Sequence, residues 1–337
     1  MNDAFVVGVG ATSPFGLDAR QCALVARANK LTPRPSELRD AKGFRLADVR
    51  AQSLPDDLYG IERMLALAAP ALREAVDDAG LADFDRPLPL FLALPEIRPD
   101  DDPRFGRAFV EALAAAAKVD IDFAGSLFFR AGAVGIAAAL DRARAHASDP
   151  RPVIVGGVDS YHHPAVLPWL DREKRLLSAT AHDGFIASEG AAMAVIAGAR
   201  HKGPRFAKVA DAAVAVQPDP EPNDVKNGEA FCELARRMGL VNAGRPFQWT
   251  LPDVNGEHHR VNELMIMKIR NDDLFSPDDT IEERLADQTG DSGAASGALA
   301  LSYLTYAYRL GFAPADRALV MLSAEGRERG SFLLDKA

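Results

Sequence analysis

The sequence predicts an α/β fold of two similar halves, each running β-α-β-α-β-α-β-β, with two sheets stacked over a shared central helical layer. Three observations predict it. Short continuous apolar runs, such as AFVVGV at 4–9 and RPVIVGGV at 151–158, recur along the chain; this is the pattern of strands buried on both faces. Amphipathic helical stretches lie between them, the clearest at 61–79, where Met64, Leu65, Ala68, Leu72 and Val76 fall on one face. The same order of elements recurs in the second half, and in both halves the third helix opens on Gly and Ala directly after a strand. Small residues there let helix backbones approach closely in a buried layer. A plain doubly wound sheet would need no such pair.

The first half, residues 1–200, opens with the strand at 4–9, a loop at 10–16 containing Pro14, and a helix at 17–28. Residues 31–55 are rich in Pro and charge and read as irregular. After the helix at 61–79 come a strand at 87–94, an acidic loop at 98–102 and a helix at 104–118. A short strand runs from Ser126 to Arg130, followed by a sharp turn at Gly132 and an Ala-rich helix to 147. The strand at 151–158, a loop or short helix at 161–177 and a strand at 191–196 close this half. The second half, residues 201–337, reads as a strand at 206–216, a helix at 227–238, a strand at 246–254 and a helix at 259–269. A short strand at 281–286, a helix at 293–310 and strands at 318–323 and 331–334 follow.

The turn at 130–132 has the form of a nucleophile elbow, a strand-to-helix turn that exposes one side chain at a helix N-terminus, where backbone N–H groups favour a developing anion. The residue at its apex is Gly132, which has no side chain to react.

Composition narrows the partners. The 337 residues carry a net charge of −9 with 26% charged and 48% hydrophobic residues, and no Lys/Arg run lies on one predicted helix face. Nucleic acid and anionic membrane are therefore not expected as partners. No apolar run reaches the ~18 residues that a bilayer span requires. The start, MNDAFVVGVG, has no basic leader and no cleavable small-residue site, so a cytoplasmic location is expected. Cys22 and Cys232 form no metal spacing and read as reduced thiols, and the packing of Cys232 with Phe231, Leu234 and Met238 reads as buried. No cofactor motif is present, so none is expected.

Five segments in order carry a resemblance: VVGVGATSPFG at 6–16, VIVGGVDS at 153–160, HDGFIASEGAAMAVI at 182–196, DVNGEHH at 253–259 and TGDSGAASGA at 289–298. Together they resemble the β-ketoacyl synthases of the thiolase superfamily over nearly the whole chain. The resemblance implies a five-layered αβαβα fold and a homodimer joined through the strand from Ser126 to Arg130. It also places the family's nucleophilic Cys on Gly132, its first catalytic His on Glu257, its second on Asp291, and its Lys near Ala286. The family's Gly-Phe-Gly-Gly loop becomes the charged stretch 324–329. Condensation needs a thiolate to carry the acyl group and two neutral imidazoles to stabilise the enolate and oxyanion. Glycine cannot be acylated, and two carboxylates repel a developing anion. No condensing activity is expected.

Each site residue has a plain reading beside a sharper one. Gly132 either tolerates a strained helix-start turn or makes room for an acyl or pantetheine group. Glu257 and Asp291 are salt-bridged to Arg130, Arg260 or Arg327, or form an acid/base pair with one raised pKa, or hold a divalent cation with His258, His259 or the His162-His163 pair. A one-residue shift would place His258 in the first imidazole position. Ser292 reads as the N-cap of the following helix rather than as a nucleophile. His162 and His163 read as an exposed loop pair, Asp183 and Glu189 as bonding a tight turn, and 98–102 as a solvated loop. Three functions follow. The first is a catalytically degenerate ketosynthase-like protein that binds an acyl chain or acyl carrier protein, or scaffolds a partner enzyme. The second is a rebuilt hydrolase or lyase using Glu257 and Asp291. The third is an interaction module presenting the 325–329 and 98–102 loops.

Overall fold

The computed structural model describes every residue except 1–2, 29–30, 41, 100, 179–180, 219–227, 277 and 279. The first half comprises β1 (Ala4–Thr12), α1 (Ala19–Arg27), β2 (Arg34–Arg39), β3 (Arg45–Asp48), α2 (Gly60–Asp78), β4 (Leu90–Ala93), α3 (Arg107–Ala117), β5 (Leu127–Phe129), α4 (Gly135–His146), β6 (Val153–Ser160), α5 (Val166–Arg172) and β7 (Glu189–Gly198). The second half adds β8 (Ala207–Val216), α6 (Glu229–Val241), β9 (Trp249–Pro252), α7 (His258–Arg270), β10 (Ile281–Glu282), α8 (Leu285–Thr289), α9 (Ser296–Leu310), β11 (Arg317–Ser323) and β12 (Glu328–Lys336). Single 3₁₀ turns, Gly132–Val134 and Gly293–Ala295, lead into α4 and α9.

The strands repeat one order. In the first half it is β5-β4-β6-β7-β1; in the second it is β10-β9-β11-β12-β8. In both, the third strand is an edge, the second lies between the third and fourth in parallel, and the fifth turns back antiparallel onto the first. A short antiparallel ladder joins the two sets where Ala4 to Val6 of β1 meet Ala207 to Val209 of β8, so the hydrogen bonds run through one ten-stranded sheet.

The central layer is α4 with α9. Helix α4 packs on β4, β6, β8 and β12, and α9 packs on β1, β6, β7, β11 and β12, so each helix touches strands of both halves. Ile136, Leu140, Leu301 and Leu304 join Val155, Ile196, Val320 and Leu334 in one apolar core. A Cβ at Gly297 would run into Ile136 of α4, which is the physical reason the α9 opening is built from small residues. Outside the strands, α2 and α3 cover the first set with their own core, through Leu67, Leu72 and Leu113. Helices α6 and α7 cover the second set through Phe231, Met238, Leu264 and Met267. The result is the five-layered αβαβα arrangement of the thiolase-like fold.

The structure differs from the sequence reading in several elements. Residues 31–55 contain a hairpin, β2 paired with β3. It is short and is held by charged and apolar groups together: Arg50 bonds both Asp48 (2.5 Å) and Asp56 (2.8 Å), and Leu38 and Leu46 pack with Val166, Leu167 and Leu170. The strand expected at 281–286 stops at Glu282 and gives way to α8, which contains Ala286. The last strand is longer than expected, running from Glu328 to Lys336. The start expected for the helix at 227–238 falls on residue 227, outside the described residues.

Candidate functional site at the Gly132 turn

Strands β4, β5 and β6 are parallel, and their carboxyl ends converge on one edge of the central layer. Ligand sites in open α/β sheets gather at such ends. Glu96 and Arg98 follow β4, the Gly132 turn follows β5, and Asp159 and Tyr161 stand at the end of β6. From the second half, Asp291 and the turn at Gly293, Arg260 in the first turn of α7, Ser323 at the end of β11 and Glu325 beyond it complete a small cleft. Glu96, Arg98, Gly132, Tyr161, Arg260 and Asp291 are among its walls.

Gly132 and Gly293 hold the same left-handed conformation, both at φ +54°, at equivalent places in the two halves. A side chain is strained there. Each also faces a carboxylate. A Cβ at Gly132 would stand 2.8 Å from Glu96 Oε1, and one at Gly293 would run into the Asp159 carboxylate. The left-handed backbone at Gly132 is that of a strained turn, and the Glu96 carboxylate lies in the space that a side chain or an acyl group would need.

Glu96 is held by the 325 loop: the backbone N–H of Glu325 donates to Oε1 (2.7 Å) and that of Gly326 to Oε2 (3.2 Å). Burial raises its pKa above the ordinary value, the Glu325 N–H pulls it back, and the charges of Glu325 and Glu328 add to the rise. Asp159 is gripped by both terminal nitrogens of Arg98 and accepts from the Ala294 N–H at 2.8 Å. Arg98 in turn lies 4.4 Å over the Tyr161 ring.

Asp291 and Glu257 come close to each other, but through a third group. Asn255 Nδ2 donates to Asp291 Oδ2 (2.6 Å) and to Glu257 Oε2 (3.1 Å). Glu257 receives two bonds from Arg175, at 2.6 and 2.9 Å, and lies 3.5 Å from Arg260. Arg175 also holds Glu325, through Nη1 and through the Nη2 it shares with Glu257. Burial works against charge on Glu257, but the Arg175 and Arg260 guanidinium groups and Asn255 outweigh it, so its pKa lies below the usual value. That is the wrong direction for a proton donor. The expected acid/base pair with one raised carboxyl is therefore corrected at Glu257. The raised carboxyls are its neighbours: Glu96, and Asp253, which burial pushes up to about 6 against the pull of Arg260 and the Ser323 N–H.

Of the expected arginine partners, Arg260 is present and buried, whereas Arg130 pairs with Asp101 at 2.5 Å. His258 is exposed at the first position of α7, its N–H donating to Asp183 Oδ1 at 2.6 Å, and it does not line the cleft. It is no substitute imidazole, and Asp183 caps a helix start instead of a local turn. Ser292 makes no side-chain cap; Asp291 Oδ1 accepts the Gly293 N–H at 2.7 Å in its place. His162 is buried, with Nδ1 2.5 Å from Asp48 Oδ2 and Nε2 2.9 Å from the Asp56 carbonyl, because it anchors the β2–β3 hairpin. Glu189 is buried in a pair with Arg63. Arg98 is buried too, so 98–102 is not wholly a solvated loop, and Asp100 lies outside the described residues. In the 325–329 stretch residues 325–328 are exposed, while Arg329 is buried on Glu263 at 2.7 Å. Among the described residues no three His, Cys, Asp or Glu side chains gather as a metal site. No described helix is long and apolar enough to cross a membrane. Both cysteines are buried and free, and burial pushes the Cys22 thiol up to about 12.

Sequence reading missed Glu96, Arg175 and the Arg98–Asp159 pair. Two signals could have found the first and last: Glu96 and Arg98 sit just past one apolar parallel strand, and Asp159 at the end of another. Arg175 carried no local signal.

No protein-family profile matches the chain, and no curated protein does. Solved structures do. One is a chain of a complex described as a type II polyketide synthase acyl-carrier protein with its ketosynthase bound to the hexaketide, with TM-score 0.80 and 15% identity, covering 100% of this chain and 99% of that one. Another is the ishigamide ketosynthase/chain length factor, with TM-score 0.74 and 18% identity over 99% of both chains. A third is a β-ketoacyl synthase from Burkholderia phymatum STM815, with TM-score 0.74 and 12% identity over 100% of both chains. From its repeated strand order to its paired central helices, the chain has the fold of these ketosynthases.

Proposed function

We propose that this chain is a ketosynthase-fold protein that does not condense, and that it engages an acyl carrier protein or its acyl cargo in polyketide- or fatty-acid-type metabolism in the cytosol. One observation carries the reading: the elbow residue is Gly132, and the volume a nucleophilic side chain would need is taken by the Glu96 carboxylate. With no thiolate no acyl-enzyme forms. The paired charges of Glu257, Asp291, Arg175 and Arg260 offset one another and offer no net positive charge to an oxyanion. The fold neighbour in complex with an acyl-carrier protein supports a carrier as partner. Strand β5, an edge strand with Leu127 exposed, is the surface through which we expect two copies to pair, extending the sheet across the dimer.

The test is incubation of the purified protein with malonyl- and acyl-carrier proteins. We expect saturable binding of the carrier, no condensation product and no covalent acyl adduct by intact-protein mass. A stable thioester adduct, or no carrier binding at all, ends the reading.

A second reading has one observation in its favour: Glu96 is a half-buried carboxyl of raised pKa facing the Gly132 turn. A rebuilt acid/base enzyme would use this group rather than Glu257 and Asp291. Hydrolysis of acyl thioesters, abolished by Glu96→Gln, would establish it.

A further inference from the structure

Behind the wall made by Arg260 and Asp291 lies a second cavity, on the side away from Gly132. It is enclosed by α1, the Ser13-to-Phe15 loop, β9, β11, α8 and α9, and it offers about 60 Å³ to the centres of water molecules. The cleft at Gly132 offers only about 10 Å³ by the same measure. The cavity walls are chiefly carbon, from Phe15, Ala23, Leu251, Leu285, Leu299 and Val320, and its floor is Asp253, Arg260 and Asp291.

Two features of the lining point to a ligand. The Ser302 hydroxyl, on α9, is buried and has no hydrogen-bond partner, although buried polar groups are nearly always paired. Four other lining hydroxyls are engaged: Ser13 with the Cys22 thiol (3.2 Å), Thr289 with the Leu285 carbonyl (2.8 Å), Ser296 with the Ser292 N–H (3.1 Å) and Tyr303 with Glu283 (3.1 Å). Ser302 is among the residues lining the chamber, whose carbon walls and few polar groups are the usual composition of a small-molecule site. The second feature is charge. The one cation of the floor, Arg260, is surrounded by Asp253, Glu257 and Asp291. An incoming carboxylate would meet excess negative charge.

We propose that this cavity binds a compact apolar molecule carrying a neutral oxygen head, such as an alcohol, an aldehyde or an ester carbonyl, and discriminates against free carboxylates. The proposal goes beyond the carrier-protein reading and stands without it, since the cavity is separate from the Gly132 cleft.

The experiment is calorimetric titration of the full chain at pH 8 with 1-hexanol and with hexanoate. The expected result is saturable one-to-one binding of hexanol, with hexanoate at least about tenfold weaker. Ala23→Leu and Ala300→Leu, each adding volume to the chamber from a different helix, should abolish binding while the protein still melts cooperatively. Ser302→Ala should weaken hexanol several-fold. Carrier-protein binding should be unchanged in all three variants, which separates failure of this proposal from failure of the first. Absence of saturable hexanol binding, equal binding of hexanoate, or binding that survives both leucine substitutions overturns it. If one leucine variant fails to fold, the other decides.

Discussion

At Gly132 two costs act on any side chain. The backbone sits at φ +54°, which costs an L-residue roughly 1–2 kcal/mol, and the new Cβ would stand 2.8 Å from Glu96 Oε1. The carboxylate is the flexible end of its side chain, so it would move and weaken its bonds to the Glu325 and Gly326 N–H groups. Introducing a thiol with Gly132→Cys is therefore expected to destabilise the protein by about 2 kcal/mol in chemical denaturation. Adding Glu96→Ala should cost less than the sum of the single changes, because the two sites share one contact. Strict additivity would show that the carboxylate does not occupy the thiol's place. At this scale the sequence was half legible. A glycine after a short apolar strand could be read directly. The partner that fills its space lies 36 residues earlier, and it reaches the turn only because β4 pairs with β5.

At the scale of elements, the structure is tied together by charged groups placed where helices meet strand ends. Arg63 of α2 and Glu189 of β7 form a fully buried pair at 2.6 Å; Glu189 also accepts from Ser160 Oγ (2.6 Å) and the Ala51 N–H (2.7 Å). Arg63→Met leaves that carboxylate buried without its counter-charge, and a loss of about 3–5 kcal/mol is expected in denaturant unfolding. The double change with Glu189→Leu should recover part of the loss, since no isolated charge remains. Glu74 of α2 ties the end of β1 to the start of α1 by accepting from the Ala11 N–H (2.9 Å) and the Ala19 N–H (3.0 Å). Burial, with a smaller push from Asp18 and Asp78, raises its pKa from 4.5 to about 7 against those two bonds. A folded pKa above the unfolded one means stability is fully present below pH 4.5 and is lost as pH rises through 7. Glu74→Gln keeps an acceptor and does not titrate. It should match the parent near pH 4.5 and exceed it by about 2 kcal/mol above pH 7, discounted for partial exposure. A difference independent of pH would contradict this account. These ties were invisible in the sequence because charge pairs leave no periodic mark. The α2 helix itself was plain, since its apolar residues recur every 3.6 positions along a whole buried face.

Over the whole molecule, the repeat of element order was the legible feature, because each half must bury the same apolar strands and the same small-residue helix. The hairpin at β2 and β3 was not legible: Arg50, Asp48 and His162, which help to hold it, meet across distant segments. The repeat invites the notion of two domains, and the packing argues against their independence. Helix α4 belongs to the first half by sequence yet rests on β8 and β12, and α9 of the second half rests on β1, β6 and β7. Separating the halves would expose both helices and one face of each strand set, with Ile136, Leu140, Leu301 and Leu304 among the side chains left in water. Each such side chain is worth about 1.5–3 kcal/mol when buried, so these four alone are comparable with the usual stability of a domain. The chain should then unfold in one calorimetric transition, with equal calorimetric and van't Hoff enthalpies, and residues 1–200 expressed alone should fail to give a cooperative melt. Two resolved transitions, or a folded 1–200 fragment, would show that the central helices are docked rather than shared.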